Sequence, residues 1–418
     1  MPEITLEDAV GRLFPTPIET DEQFRDFYVD VGIQNKLLTQ FKLVKPPTII
    51  AIGGPRGSGK TTEVRHATRR IEEGISTIKV IYHSITKYYN DIGTITIGEL
   101  LLEVALSIAS WAKENGIEVS EEILNHIVEL EESLTKEITR EKIEEHKKEA
   151  GLTGTIPLII ATIKGAIGRS KAERERIVEK MQANIGDLIS LINKLLEEIL
   201  SKEENIEKII IVIDDTDKLQ PQESQNIFVE NNDSLRRIRN CVTAYIITYD
   251  LIRGPWSSRV ADIFDQVITI VPAIDYRTEK GKGLLTEILE RRIPTELFED
   301  EEICDTLIGY SGGILRNMID LAKSSCMRSI ENRENKISRA SVQFSKNVFK
   351  ENLETTISSD EEYELIVKIH NEPNRFFVRN DTFRNLLYKK LLIEYILDDG
   401  NSDYRLHPLV EELMEEGI

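Results

Sequence analysis

One stretch near the N-terminus constrains the fold more than any other part of the sequence. Residues 53–64 read GGPRGSGKTTEV, in which Gly54 and Gly59 stand five apart and a Lys-Thr pair follows. This satisfies the P-loop pattern G-x-x-x-x-G-K-[ST] in full. The preceding TIIAI is a short run of strand formers, and the following TTEVRHATRRIEEG has helical character. Strand, glycine loop and helix together are the context that a P-loop requires.

The residue types of this loop indicate its chemistry. Glycines let successive backbone N–H groups point at phosphate oxygens, at the positive end of the following helix. We expect Lys60 to reach the β- and γ-phosphates of ATP and the Thr61 hydroxyl to ligate Mg²⁺. The residues predicted to contact ATP or ADP are those of the loop itself: Gly54, Pro55, Arg56, Gly57, Ser58, Gly59, Lys60, Thr61 and Thr62.

Four further apolar runs predict the rest of a sheet. They are IKVIYHS (78–84), KIIIVIDDTDKL (208–219), CVTAYIITYD (241–250) and DQVITIVP (265–272). Continuous apolar runs are typical of parallel strands that are covered on both faces. The sequence therefore predicts an α/β fold, a three-layer P-loop NTPase domain with a five-stranded parallel sheet, formed by residues 1–90 and 205–275.

Residues 91–204 are predicted to form a long and mostly helical insertion. Within it, GTIPLIIATIKGAIG (154–168) is too short to span a bilayer and carries Lys164, so we expect a β-hairpin or a partner-docking element and no membrane segment. Apolar residues at helical spacing from Ile177 to Ile199 predict a helix packed on neighbouring helices, with a coiled-coil contact to a partner as the alternative. Residues 276–355 predict a helical lid. Residues 356–418 suggest three helices, two short strands and a last helix, the order of a winged helix.

Acidic residues follow the IIIVI strand at its carboxyl end. We expect Asp214 to hold Mg²⁺, directly or through water. Asp215 is the candidate that activates the attacking water, and because aspartate is one methylene shorter than glutamate, slow hydrolysis is expected. The alternative for Asp215 is a charge that does not touch the reactants. Asp217 and Lys218 are expected to form a helix-capping or surface pair.

Three more side chains are candidates for sensing or stabilising the phosphates. Thr248 ends the strand predicted to lie between the P-loop and acidic strands. Arg316 lies in the first turn of the helix that follows Gly-Gly in SGGILRNMIDLAK, and a surface arginine is its alternative reading. Arg259 is expected to reach the nucleotide of a neighbouring subunit. Arg253 and the arginines of residues 236–239 compete for that role.

Composition limits the partners and the compartment. The 418 residues suffice for two or three domains, and a net charge of -20 argues against broad binding to nucleic acid or anionic membranes. Cys241, Cys304 and Cys326 lack metal-ligand spacing and predict reduced thiols. The N-terminus has neither a basic start nor an apolar core, so no signal peptide is expected. Together with the reduced thiols, this predicts a cytoplasmic protein.

With these motifs in this order, the chain resembles the AAA+-like P-loop ATPases of the ASCE class and, within them, the STAND group of signal-transducing switch ATPases. The resemblance rests on GGPRGSGKTTEV, IIIVIDDTDKL, AYIITYD and SGGILRNMIDLAK, and it covers about residues 20–90 and 205–418. It implies a sheet ordered 5-1-4-3-2, a helical lid and a winged helix that closes over the nucleotide. It also implies that His407 contacts the phosphate of ADP. Pro408 departs from the acidic residue usual there, and a packing histidine is the alternative.

Two functions follow from this resemblance. In the first, ADP holds a switch ATPase closed, and ATP opens it for homo-oligomer assembly or for a separate effector protein; defence against phage is an implied role. In the second, the winged helix of a DNA-binding AAA+ ATPase, like origin-binding or transposition-regulating members, engages DNA through Arg384, Lys389 and Lys390. From Ser358 to Ile418, 14 acidic residues outnumber 7 Lys and Arg, a balance of -7. Because phosphate binding gains from each cation, the switch is favoured.

Overall fold

A computed structural model of the chain describes residues 4–85, 94–372 and 377–417. Its central sheet has five strands: β1 (Thr48–Gly53), β2 (Ile78–Ser84), β3 (Lys208–Asp214), β4 (Val242–Ile246) and β5 (Ile268–Ile270). Their order is β2-β3-β4-β1-β5, and every neighbouring pair is parallel. The predicted α/β fold and the 5-1-4-3-2 order are therefore confirmed.

The sheet is covered on both faces, which explains why its strands are apolar throughout. The first helices are α1 (Leu6–Arg12), α2 (Asp21–Phe27), α3 (Gln34–Leu43) and α4 (Lys60–Gly74). Helices α3 and α4 pack on one face of the sheet through Phe41, Val64 and Ile71. Every residue of β3 is buried, as expected for a strand between two helical layers.

The insertion supplies the opposite face. It consists of α5 (Ile97–Glu114), α6 (Glu121–Leu134), α7 (Arg140–Ile167), α8 (Lys171–Ala183) and α9 (Ile185–Lys202). Helix α5 packs against the sheet and is buried along most of its length. The helix expected from Ile177 to Ile199 is present, packed on its neighbours and divided at Asn184.

The β-hairpin expected at residues 154–168 is wrong, because this run forms the second half of α7. Ile156, Ile159, Ile160 and Ile163 recur at helical spacing and are fully buried in the core. Tertiary burial of that face outweighs the strand preference of β-branched residues. By length and composition alone, the segment Glu141–Ile167 of α7 is long and apolar enough to cross a membrane; half of its most apolar window is buried inside the protein.

Shorter helices connect the later strands, and a helical region follows the sheet. The connecting helices are α10 (Pro221–Gln225), α11 (Asn232–Arg236), α12 (Tyr249–Arg253) and α13 (Ser257–Ile263). The helices after β5 are α14 (Glu279–Glu290), α15 (Glu302–Ser311), α16 (Leu315–Glu331) and α17 (Arg339–Glu354). Helix α1 packs against α16 in a separate core that also contains α14 and α15.

The last part of the chain, called here the C-terminal region, begins with α18 (Asp360–Asn371) and α19 (Asp381–Lys389). An antiparallel pair, β6 (Leu392–Ile396) and β7 (Ser402–Leu406), leads into α20 (Pro408–Glu415). Two helices, and not the expected three, precede the strands in the described part of residues 358–417. The division into four domains stays a prediction, and its boundary near residue 90 lies outside the described residues.

Candidate nucleotide-binding site

The loop between β1 and α4 needs glycine at three positions. Gly54, Gly57 and Gly59 have φ values of 150°, 89° and 94°, which side chains with a Cβ rarely adopt. A Cβ on Gly54 would lie 2.0 Å from the carbonyl oxygen of Val271, and one on Gly57 would lie 2.5 Å from Cβ of Arg316. The loop is therefore closely packed against β5 and the start of α16, and it fits the cradle that the P-loop pattern predicts.

This loop forms one wall of a cavity of about 440 Å³. The other walls come from the acidic end of β3, from α14 and α16, and from the segments at residues 15–19 and 27–31. Six of the nine predicted loop residues line the cavity: Arg56, Gly57, Gly59, Lys60, Thr61 and Thr62. Gly54, Pro55 and Ser58 do not line it; Gly54 and Pro55 present their carbonyl groups to Lys60.

The Lys60 side chain is buried and fully engaged. Its Nζ donates hydrogen bonds to the carbonyl oxygens of Gly54, at 2.9 Å, and Pro55, at 3.0 Å. It also forms an ion pair at 2.9 Å with Oδ2 of Asp217. The surface pair expected between Asp217 and Lys218 is therefore wrong: Asp217 turns toward the loop, and Lys218 pairs with Asp215 instead.

Thr61 and Asp214 lie side by side, as a shared metal ligand would require. The Thr61 hydroxyl donates to Oδ1 of Asp214 at 3.1 Å, and the Tyr82 hydroxyl donates to Oδ2 at 2.5 Å. Burial, reinforced by the neighbouring Asp215, raises the pKa of Asp214 to about 6. A hydroxyl and a carboxylate are the hard oxygen ligands that Mg²⁺ prefers, so this pair fits the ion.

Asp215 also lines the cavity, in a backbone conformation unusual for a residue with a side chain. Its φ is 69°, at the turn where β3 ends. The carboxylate accepts a hydrogen bond from Ser84 and pairs with Nζ of Lys218 at 2.6 Å. Asp215 is thus present at the cavity but held by two side chains, and its role in activating water stays a prediction.

Arg316 lies at the cavity, whereas Arg259 and Thr248 do not line it. The backbone N–H of Arg316 donates to the carbonyl oxygen of Gly57 at 3.0 Å, which joins α16 directly to the loop. Arg259 is exposed on α13. Thr248 is buried, and its hydroxyl lies 2.9 Å from the Ser224 hydroxyl.

His407 is placed differently from its expected position at the phosphate of ADP. It is fully buried and is not among the residues lining the cavity. Its Nδ1 accepts from the backbone N–H of Leu409 and caps α20, and its Nε2 lies 3.3 Å from the Asn317 amide nitrogen. Burial, aided by nearby Lys390, lowers the pKa of His407 to about 3. A neutral, enclosed imidazole agrees with the alternative reading, a packing residue.

The N-terminal side of the cavity was missed from the sequence. Tyr28 donates to Oε2 of Glu63 at 3.2 Å, and Gln34 donates to the same oxygen at 2.6 Å. Burial raises the pKa of Glu63 to about 7. No motif marks residues 15–19 or 27–31; Pro15 and Pro17, which favour extended backbone, are the only signal that they carry.

Comparison with known proteins places this site in a family. Residues 34–251, more than half of the chain, match the KAP family P-loop domain. No curated protein is significantly similar to the chain.

Solved structures resemble the chain at low sequence identity, and the first of those below shares its fold. The Walker-type ATPase of Pyrococcus abyssi is 13% identical, with a TM-score of 0.50 over 97% of this chain and 99% of its own. The ORC1 protein of Aeropyrum pernix, solved in complex with DNA, is 13% identical, with a TM-score of 0.42 over 98% and 96%. Cdc6p of Pyrobaculum aerophilum is 13% identical, with a TM-score of 0.42 over 99% of both chains. The family match and the geometry of the loop agree, and the chain belongs to the KAP family of P-loop NTPases.

Proposed function

We propose that this protein is a switch ATPase of the AAA+/STAND kind. ATP binds in the cavity with Mg²⁺ held by Thr61 and Asp214, and slow hydrolysis changes the position of the C-terminal region, a winged helix. That change controls homo-oligomer assembly or a separate effector protein. Bound Mg²⁺ supplies charge neutralisation for the phosphates.

The observation that carries this proposal is a contact between the loop and the C-terminal region. Arg56 is a residue of the P-loop, yet its Nη2 donates to the Tyr388 hydroxyl of α19 at 3.0 Å. The guanidinium carbon also lies 4.4 Å from the centre of the Tyr388 ring, in cation–π range. A ligand that repositions Arg56 therefore acts directly on α19.

A second connection runs through the end of β4. Helix α12 follows Thr248, and its Asp250 carboxylate pairs with Nε of Arg384 on α19 at 2.7 Å. At the end of α19, Nζ of Lys390 donates to Oδ1 of Asn317 on α16 at 3.0 Å. The P-loop and helix α12, which follows β4, both contact α19, and the lid helix α16 contacts the C-cap residue of α19. A nucleotide-controlled switch needs such an arrangement.

DNA binding through α19 is the weaker alternative. Its three candidate cations have partners inside the protein: Arg384 with Asp250, Lys389 with Glu362 at 2.6 Å, and Lys390 with Asn317. Cations engaged in this way add little counterion release on a phosphate backbone. The acidic balance of the C-terminal region argues the same way.

Mass photometry and a DNA titration decide between the two functions. We expect the mass distribution of the wild-type protein to differ between Mg-ADP and a non-hydrolysable ATP analogue, and the difference to vanish in Lys60→Ala. We expect no salt-sensitive binding of duplex DNA. A mass distribution indifferent to nucleotide, together with DNA binding that weakens steeply with salt, would reject the switch in favour of the DNA-engaged ATPase.

A further inference from the structure

The ion pair between Lys60 and Asp217 leaves the P-loop lysine with no spare hydrogen bond. A lysine ammonium has three donors. Two are directed to the carbonyl oxygens of Gly54 and Pro55, and the third to Oδ2 of Asp217. Because the lysine is only 4% exposed, water does not supply an easy substitute. A phosphate oxygen can reach Lys60 only if one of these three acceptors is displaced.

We propose that Asp217 is an intramolecular competitor of the nucleotide phosphates for Lys60. This inference rests on the proposed function, since it requires a nucleotide at the P-loop. Asp217 is the acceptor that gives way, because the two carbonyl groups belong to the loop backbone, whereas a carboxylate on a side chain can rotate. Asp217 lines the cavity and retains 14% side-chain exposure, so it has space to move into.

Charge makes this displacement favourable once phosphates enter. Asp214, Asp215 and Asp217 place three carboxylates within four residues at the end of β3. Burial first, and then the negative charges of Asp215 and Asp217, raise the pKa of Asp214, so the cluster disfavours additional negative charge. A di- or triphosphate adds negative charge to this cluster and expels the one member whose cation it takes.

Asp217 is also positioned to transmit its displacement from Lys60 to Arg56. The main-chain carbonyl oxygen of Asp217 accepts a hydrogen bond from Nε of Arg56 at 3.2 Å, and Arg56 in turn contacts Tyr388. Movement of the turn that carries Asp217 therefore alters the support of Arg56. Displacement of Asp217 is thereby linked to the contact between the P-loop and α19.

Binding of pyrophosphate and of ADP to Asp217→Asn tests this inference. The variant keeps the shape of the side chain and removes the competing charge. We expect both ligands to bind about tenfold tighter than to the wild type, a gain of about 1.4 kcal/mol. Asp215→Asn, the same change two residues away, should not show this gain because Asp215 pairs with Lys218. Asp233→Asn, an exposed position on α11, controls for net charge.

The outcomes separate the inference from the proposed function. Failure of the wild type and of every variant to bind either ligand would overturn the proposed function and the inference together. Binding by the wild type that Asp217→Asn leaves equal or weaker, with reduced turnover, would overturn the inference alone and make Asp217 a residue that assists the phosphates. If Asp217→Asn does not fold, Asp217→Ser provides the same comparison.

Discussion

The phosphate end of the cavity and the C-terminal region are held together by different kinds of contact. Around Lys60, two of the three acceptors are backbone carbonyl groups within six residues of it in the chain. The C-terminal region is instead held by side chains more than a hundred residues apart, such as Arg384 with Asp250 and Arg253 with Glu394. Backbone contacts fix a local geometry, whereas the position of the C-terminal region depends on a few pairs of side chains from distant parts of the chain. The comparison indicates a rigid phosphate end of the cavity joined to a C-terminal region whose position can change.

The buried pair between Arg384 and Asp250 gives the largest expected effect and tests how firmly the C-terminal region is attached. Removing one partner leaves a buried charge without compensation, so Arg384→Gln should lower the free energy of unfolding by about 3–5 kcal/mol. Both side chains are buried, and burial already raises the pKa of Asp250. Urea denaturation measures the loss, and Arg384→Gln with Asp250→Asn should recover part of it. A loss below about 1 kcal/mol would mean that the pair does not fasten α19.

Lys60→Ala tests the phosphate end of the cavity. It removes the cation that we propose meets the β- and γ-phosphates, and one strong charge-assisted contact corresponds to a loss of about 100-fold in nucleotide affinity. Turnover should fall at least as much. Fluorescent-nucleotide titration and a phosphate-release assay measure the two effects, with Lys42→Ala, an exposed lysine outside the cavity, as the control. Undiminished turnover in Lys60→Ala would reject this loop as the site.

The pKa of Asp214 predicts how metal-dependent binding responds to pH. Because Mg²⁺ requires the carboxylate, apparent Mg-nucleotide affinity should fall about tenfold for each pH unit below about 6. The folded-state pKa is raised from 3.8, so the stability contributed by protonated Asp214 is lost as pH rises from about 4 through about 6.

Asp214→Asn should therefore bind Mg-nucleotide poorly yet be more stable than the wild type at pH 7, by about 1–3 kcal/mol. Thermal unfolding at pH 5 and pH 7 shows whether the stability difference grows with pH. A variant that is less stable than the wild type at both pH values would contradict the claim that burial of the ionised Asp214 carboxylate destabilises the protein.

His407 provides the smallest expected effect on the nucleotide. His407→Ala removes the cap of α20 and leaves a cavity where a fully buried side chain stood, so the free energy of unfolding should fall by about 2–4 kcal/mol. The release rate of ADP, measured by stopped flow, should stay near the wild-type value because the imidazole is buried away from the cavity. His146→Ala, in α7, serves as a control. Markedly faster ADP release would restore the contact with ADP that the resemblance implies.

The part of the site that sequence could predict is the part made by local geometry. Lys60, Thr61 and Asp214 lie together at the cavity, as the motifs predict, because a glycine loop and the carboxyl end of a buried strand have few possible shapes. The parallel sheet was predictable for the same reason, since continuous apolar runs leave little choice of environment.

The parts that sequence missed depend on contacts across the fold. Asp217 meets Lys60 from a position 157 residues away, and no spacing rule records such a pair. Thr248 follows β4 and His407 precedes the last helix, as the sequence predicts. The direction in which each side chain points depends on neighbours from distant parts of the chain, which the sequence does not identify. The apolar run at 154–168 forms a helix where a hairpin is expected, because the sequences of buried helices and buried strands have a similar apolar composition.

Hydrogen exchange in α19 tests the central claim most directly, namely that the nucleotide at the P-loop controls the C-terminal region. The amides of Asp381–Lys389 should exchange faster with a non-hydrolysable ATP analogue than with ADP, because the analogue releases α19 from Arg56 and Asp250. The difference should disappear in Lys60→Ala and shrink in Tyr388→Leu. Equal exchange with the two nucleotides, at concentrations where titration shows both to be bound, would contradict the account.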